Sequence, residues 1–243
     1  MNNSFDFKRF GKVLRKDLSS VVSNFGISFL VFCCIPTVPW LTALVFGNEI
    51  EQSVRVFMII LLWAIATMSA ASRVYGKANL PREGVSFAML PATNLEKFFS
   101  MVFYCAIVIP VAMALGLWIV DSFLAILPFR AFNGIISNPF ADEEHLGTLI
   151  IFIIVNSWLF SALFMLGNMI FKRRKAGKTF GWLMLIAFTI ITTMQILDVY
   201  DGFWNIFDSI PESFLPWFYI IVVFIVDCVL FYLTYRRIKN QKY

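Results

Sequence analysis

The polar stretch RVYGKANLPREGVSFAMLPATNLEK (residues 73–97) separates two apolar segments that are each long enough to cross a membrane. It carries four basic residues against two acidic ones, and Pro81 and Pro91 divide it into short pieces. Within it, Met89 and Leu90 precede Pro91 in an apolar step that lies in a segment too polar for the bilayer. We expect a short amphipathic element here that is presented to another protein.

The composition on both sides of this stretch indicates a polytopic helical membrane protein. Of the 243 residues, 60% are hydrophobic and only 14% are charged, and 28 are Phe. The mean hydropathy is +0.79, which is outside the range of ordinary soluble domains. The length allows a single membrane domain, 1–243, and we see no signal peptide in the first 24 residues. The net charge of +5 does not indicate a nucleic-acid partner, because the membrane topology explains where the positive charges lie.

Six apolar segments have the length that a membrane-spanning helix needs, about 20 residues. Proline inside the first segment predicts a kink or a locally unwound turn there. Small residues in the second and third segments predict close helix packing. The predicted spans are Phe25–Phe46, Val54–Ser72, Phe98–Val120, Thr148–Phe171, Phe180–Leu197 and Phe214–Tyr235.

The basic residues predict the orientation of these spans. If the six spans alternate, 18 of the 20 Lys and Arg residues lie on one side, and only Arg55 and Arg130 lie on the other. The positive-inside rule then places both termini in the cytoplasm, and we expect an integral, multi-pass protein of the bacterial plasma (inner) membrane. The other side would hold two long outer loops, 121–147 and 198–216, the second with a short helix at the outer interface.

The N-terminal residues have a different pattern from the spans. Phe7, Phe10, Leu14, Leu18 and Val21 recur at helical spacing, and basic residues occupy the opposite face. We therefore predict an amphipathic interface helix within 1–24, whose basic face meets the headgroups of membrane lipids. The six-helix bundle would follow over 25–235, and 236–243 would form a basic cytoplasmic tail.

Catalytic and metal sites are not predicted. The sequence from Lys172 to Thr179 ends in Gly-Lys-Thr but lacks the earlier glycine and the strand of a phosphate-binding loop. The single histidine, His145, cannot form a two-histidine zinc site or a hydrolase triad in this context. The acidic run 142–144 reads as a solvated outer loop, and the four cysteines lie inside apolar runs as small core residues. We expect that the chain is not an enzyme.

Asp227 lies near the centre of the sixth span, where a carboxylate is unfavourable by roughly 2.5–3.5 kcal/mol. It should therefore face other helices or a polar cavity. Two interpretations remain open: a group that contacts substrate or protons, and an interhelical hydrogen-bonding partner. In the second interpretation its partner is Asn156, Ser157 or Gln195.

These features together resemble the ABC-2 type membrane subunits of ABC exporters, in which the ATPase is a separate chain. The resemblance covers the whole chain as topology: interface helix, six spans, both termini inside, a coupling helix in the first cytoplasmic loop and short outer helices. As a motif it covers about 16 residues. These 16 residues are 82–97, and within them the resemblance rests on Arg82-Glu83-Gly84, then Met89-Leu90-Pro91-Ala92-Thr93, then Lys97. Gly84 is followed by Val85, where the family commonly has threonine.

The resemblance implies a mechanism in which two copies, or this chain and a related permease, line a pathway between them. A partner ATPase subunit would bind ATP and Mg²⁺, so this chain needs no cofactor of its own. Phe87, Met89 and Leu90 would enter a groove of that ATPase, with Arg82 and Glu83 at its rim. The competing hypothesis is a non-transporting membrane anchor or a regulatory partner of a membrane complex.

Overall fold

The computed structural model describes most of the chain, and all of the described regular structure is helical. Its helices are held together mainly by one core cluster that draws on almost every helix. The side chains of 146–150, 190, 193–196 and 215 are not described. The described residues are 5–78, 80, 84, 87, 89–127, 131, 132, 134, 136, 146–196 and 214–240.

The first helix, α1, runs without interruption over Phe7–Cys34. It begins where the side chain of Asp6 accepts a hydrogen bond from the Lys8 backbone N–H at 2.9 Å, which satisfies one free donor of the first turn. The predicted boundary between an interface helix and a first span, at residues 24 and 25, is therefore not a helix end. Serine, asparagine and glycine at 23–26 interrupt the apolar run but not the backbone hydrogen bonding. On the predicted apolar face, Phe7 is 81% exposed, whereas Val21 is buried in the bundle.

The first helix ends where proline removes a backbone donor. A short α2, Thr37–Phe46, starts directly after Pro36, so the predicted break inside the first span is present. Gly47 ends α2 in the left-handed conformation, with φ of +67°, as glycine commonly does at this position. The next helix, α3, covers Gln52–Val74 and contains the second predicted span.

The third predicted span is built from three pieces. α4 covers Asn94–Val102, a π-helical segment covers Phe103–Val108, and α5 covers Ile109–Ile126. Pro110 has no N–H to donate to the preceding turn, and the wider π-helical turn lies just before it. α5 extends beyond the predicted end of the span, so Asp121 is helical and not part of an outer loop.

Three long helices complete the part of the fold that the structure describes: α6 (Leu146–Ile170), α7 (Lys175–Ile196) and α8 (Leu215–Lys239). α6 and α7 form a tight hairpin, because a Cβ on Gly167 would lie only 2.0 Å from Thr179 Oγ1. The predicted outer helix within 198–216 lies almost entirely outside the described residues. So do the acidic run 142–144 and His145.

Contacts between the helices show how the helices run relative to one another. The pairs Asp17–Tyr75 and Arg55–Asp121 make α3 antiparallel to α1 and to α5. Asn168 reaches the Tyr75 carbonyl, so α6 runs parallel to α3. α8 runs parallel to α6, because Tyr219 bonds Asn156 near one end while Leu233 lies beside Ile170 near the other. We call the end that carries the start of α1, the connector 75–93, the turn 171–174 and the end of α8 the basic end.

Small residues allow the close helix packing that the sequence predicts. Ala66, Thr67, Ala70 and Ala71 on α3 are each at most 1% exposed. A Cβ on Gly116 would lie 2.7 Å from Phe29 Cζ, so α1 passes close to α5. All four cysteines are free, two buried and two exposed.

Among the residues that the structure describes, five helical segments are long and apolar enough to cross a membrane, by length and composition. They correspond to five of the six predicted spans, and this all-helical architecture is compatible with an integral, multi-pass membrane protein. The fifth predicted span falls on α7, which is not among these five. The five segments are Phe7–Phe46, Gln52–Val74, Asn94–Ile126, Ile151–Ile170 and Pro216–Lys239.

Candidate functional site

The candidate site is the connector between α3 and α4, residues 75–93, together with the helix ends that hold it. Asp17 of α1 is 1% exposed and is the centre of the first attachment. Its Oδ2 accepts hydrogen bonds from Tyr75 Oη at 3.0 Å and from Ser100 Oγ at 2.6 Å. One buried carboxylate therefore joins α1 to the first residue of the connector and to α4, the helix that follows the connector. Because breaking such a network leaves a charge buried, these bonds fix the position of the connector.

Glu96 makes the second attachment. Its side chain is fully buried, and Oε1 accepts from Arg9 at 3.1 Å and from the backbone N–H of Asp6 at 2.9 Å. Oε2 accepts from the backbone N–H of Thr93 at 2.9 Å, while Thr93 Oγ1 accepts from the Glu96 N–H. This reciprocal capping box starts α4 at the end of the connector. The same carboxylate thus starts one helix and anchors the beginning of another.

The third attachment joins the connector to α6 and α7. Asn168 Nδ2 donates to the Tyr75 carbonyl at 3.0 Å, and Lys175 Nζ donates to the Gly76 carbonyl. Burial lowers the pKa of Lys175, and burial followed by the charge of Asp17 raises the pKa of Tyr75. Gly76 cannot carry a side chain, since a Cβ would lie 2.1 Å from the Ser72 carbonyl oxygen. The connector is therefore bonded to four helices.

The predicted coupling residues divide into an inner and an outer set. Phe87 is 6% exposed within the core, and Lys97 is also buried, with its Nζ 5.5 Å from the centroid of the Phe87 ring. Leu90 is half-buried. Met89 is 78% exposed, and Pro91 beside it is exposed. We expected Phe87 to enter a groove of the partner ATPase. In this structure its ring is already covered by the helix bundle, so Phe87 is not presented to a partner. Arg82 and Glu83 lie outside the described residues.

Beside the connector lies a strongly basic groove of about 500 Å³. It runs between the end of α3 and the start of α7. Five of its lining residues are Lys or Arg, and none is acidic. The lining residues are Ser72, Arg73, Gly76, Lys77, Leu80, Lys172, Arg174, Lys175, Ala176 and Gly177.

A buried ion pair lies at the opposite end of the bundle. Arg55 of α3 is fully buried, and its Nε and Nη2 donate to the two carboxylate oxygens of Asp121 at 3.1 and 2.5 Å. Its Nη1 donates to the Gly134 carbonyl at 2.8 Å, and its Cζ lies 4.4 Å from the Phe132 ring centroid. The two parallel hydrogen bonds give this pair a defined geometry as well as complementary charge. Both residues lie at the end opposite to the basic end, and Asp121 belongs to α5 and not to the predicted outer loop 121–147.

The polar residues inside the spans have different surroundings. Asn156 is tied to Tyr219, whose Oη donates to Asn156 Oδ1 at 2.8 Å, and it does not bond Asp227. Asp227 is 2% exposed, and among the described residues neither of its oxygens has a hydrogen-bond partner. Ser157 Oγ is likewise buried without a described partner. The Gln195 side chain is not described. The predicted pairing of Asp227 with Asn156 is therefore absent, and its interpretation as a functional group stays open.

The sequence interpretation missed Asp17, Arg55 and Lys175 as key residues. A usable signal existed for Arg55 and Asp121, because opposite charges stand at corresponding ends of consecutive, antiparallel spans. Asp17 was missed because the residues around it in the sequence are basic, and a helix face rich in charged residues is usually exposed to solvent. Among the residues that the structure describes, no three His, Cys, Asp or Glu side chains gather as metal ligands would.

Comparisons of this chain with protein-family models, with curated proteins and with solved structures find no match.

Proposed function

We propose that this chain is the membrane-spanning subunit of an ABC-2 type exporter, driven by a separate ATPase through the connector 75–93. In this proposal, six helices cross the membrane, and both termini lie in the cytoplasm. A dimer of such subunits encloses the substrate pathway.

The helix directions support six crossings. α1, α4–α5 and α7 run away from the basic end, and α3, α6 and α8 run back toward it. α7 contributes to this alternation because α6 and α8 are parallel, so the chain between them must return to the opposite end. Of the described Lys and Arg residues, all except Arg55 belong to the basic end by this alternation. The positive-inside rule assigns that end to the cytoplasm.

The observation that carries the proposal is the way the connector is fastened. It is bonded to α1 and α4 through Asp17, to α6 through Asn168 and to α7 through Lys175. A force applied to the connector would therefore move several helices together, because buried polar networks resist local rearrangement. A connector that served only to join two spans would not need these buried attachments.

The exposed residues of the connector are the natural contact points for the ATPase. Met89 presents a flexible apolar side chain that can fill an irregular groove, and Pro91 lies beside it. Phe87 and Lys97 are buried in the bundle and hold the connector that carries these two exposed residues. Arg82 and Glu83 remain part of the proposed contact as charged residues at its rim. ATP binding to the partner would shift the equilibrium between conformations only through contacts that differ between them.

The test is binding of the ATPase encoded beside this gene, if an adjacent reading frame carries a phosphate-binding loop and an ABC signature. We expect the two proteins to co-purify. Met89→Asp combined with Pro91→Asp should abolish co-purification, because it places charges in an apolar contact. Asn94→Asp is the matched control, since Asn94 is exposed and lies three residues from Pro91. Equal binding by all three proteins would refute the coupling assignment.

Transport separates this proposal from the non-transporting anchor. Vesicles that contain both proteins should take up a substrate when ATP is present, and the Met89→Asp/Pro91→Asp variant should not. An anchor would bind a partner without ATP-dependent transport. In the same vesicles, Asp227→Asn tests whether this residue belongs to the pathway: unchanged transport by a normally folded variant would remove it.

A further inference from the structure

A cleft at the basic end, between the last turns of α6 and α8, combines two kinds of surface. Its volume is about 370 Å³. Leu166 and Ile170 of α6 and Leu233 of α8 form its apolar walls, and Arg236 and Arg237 stand where α8 ends. It is separate from the connector and from its attachments.

The arginines of this cleft are available for an anionic ligand. Arg236 and Arg237 are exposed, and no ion pair to either of them is present among the described residues. Guanidinium groups bind phosphate through paired hydrogen bonds, which makes arginine the preferred residue for such contacts. Asn240, which also lines the cleft, adds an amide that can bond a headgroup hydroxyl.

The apolar walls lead from the arginines toward the middle of the membrane. Leu233 lies one turn before Arg237, about 6 Å along the helix axis. On α8, farther from the arginines, Val229 and Val226 are 52% and 42% exposed. Ile170, the last residue of α6, is 46% exposed beside the arginines. This succession matches a molecule with an anionic head and a long apolar tail. A free phosphate ion would leave the apolar part of the cleft unused.

We propose that this cleft binds an anionic phospholipid, with the phosphate on Arg236 and Arg237 and one acyl chain along Leu166, Ile170 and Leu233. Basic pockets between membrane helices on the cytoplasmic side are suited to such headgroups. The site lies where α6 and α8 meet, so the lipid joins the ends of two parallel helices. This inference requires a membrane location with the basic end at the anionic leaflet, and it does not require transport.

The test is a lipid titration of the purified protein in detergent, followed by native mass spectrometry. We expect dioleoylphosphatidylglycerol to bind more tightly than dioleoylphosphatidylcholine. Arg236→Gln/Arg237→Gln should weaken phosphatidylglycerol binding by about 30-fold, taking the contribution of each basic residue near an anionic headgroup as about fivefold. Arg173→Gln/Lys178→Gln removes the same charge from exposed positions at the turn before α7 and in its first turn and should change binding by less than about fivefold.

Two further arms separate the lipid from a simple anion. Ile170→Trp fills the cleft while it keeps both arginines, so phosphatidylglycerol binding should fall. Sodium phosphate at tens of millimolar should not displace the lipid. The proposal is overturned if the Arg236→Gln/Arg237→Gln variant keeps its preference for phosphatidylglycerol, or if wild-type protein has none. Unchanged binding by Ile170→Trp, or displacement by phosphate, would overturn the assignment to a lipid.

Discussion

Replacing Arg55 by methionine should destabilise this protein more than any other single change of a charged residue that we can name. Methionine keeps the length of the side chain but removes its charge and all of its donors. Asp121 then loses two hydrogen bonds while it remains 1% exposed, and the Gly134 carbonyl loses its donor. Removing one partner of a buried ion pair typically lowers the free energy of unfolding by about 3–5 kcal/mol.

A double variant distinguishes the interaction between Arg55 and Asp121 from the separate contribution of each side chain. Arg55→Met/Asp121→Leu replaces both charges by apolar groups, and such replacements are often neutral or even stabilising. We therefore expect the double variant to recover most of the stability that Arg55→Met loses. Arg15→Met is the matched control, because Arg15 is exposed on α1 and its loss should change stability by less than about 1 kcal/mol.

Reversible unfolding in mixed detergent micelles, followed by circular dichroism, measures these free energies. A loss of less than about 1 kcal/mol for Arg55→Met would refute the buried bidentate pair. A double variant that is as unstable as the sum of the single variants would show that the two side chains do not interact.

Other predictions concern the packing and the connector, and the same unfolding measurement checks them. Gly167→Ala should be destabilising by about 1–3 kcal/mol, because its Cβ would overlap Thr179; Gly11→Ala, which has open space, is the control, and equal stability of the two variants would disprove the tight hairpin. Tyr75→Phe should lower the free energy of unfolding by about 1–3 kcal/mol, because Asp17 loses a buried donor; an unaltered value would mean that this bond is not formed. Asp227→Leu should raise stability by roughly 2.5–3.5 kcal/mol, since it removes a buried carboxylate without a described partner. A clear decrease would instead indicate that Asp227 has a bonded partner.

Apolar runs were sufficient to locate most of the helices, because a lipid-facing helix must be apolar over about 20 residues whatever its neighbours are. The break at Pro36 and the buried alanines of α3 were also predictable, since each depends on a local property of the residue. The continuity of α1 was not, because polar residues near 24 change the solubility of a surface but leave helical hydrogen bonds intact. The π-helical segment before Pro110 depends on how neighbouring helices accept the freed carbonyls, which a single segment does not reveal.

The sequence was sufficient to locate the candidate site along the chain, but not to predict which of its residues are buried or what they bond. The polar stretch 73–97 marks the connector, and Met89 is exposed as a contact residue should be. The burial of Phe87 and Lys97 required knowledge of what packs on them. Asp17 and Glu96 bond partners 58 to 90 residues away in the chain, and charge patterning within one helix carries no information about such pairs.

The side of the membrane on which the connector lies is the central claim, and labelling of single cysteines measures it directly. All four native cysteines would first be replaced by serine or alanine, and Met89→Cys and Asn48→Cys introduced separately. Both positions are exposed and lie at opposite ends of the bundle. With a membrane-impermeant maleimide, we predict that Met89→Cys reacts in inside-out vesicles only and that Asn48→Cys reacts in right-side-out vesicles only. Labelling of Met89→Cys in sealed right-side-out vesicles would contradict the orientation and the coupling role together.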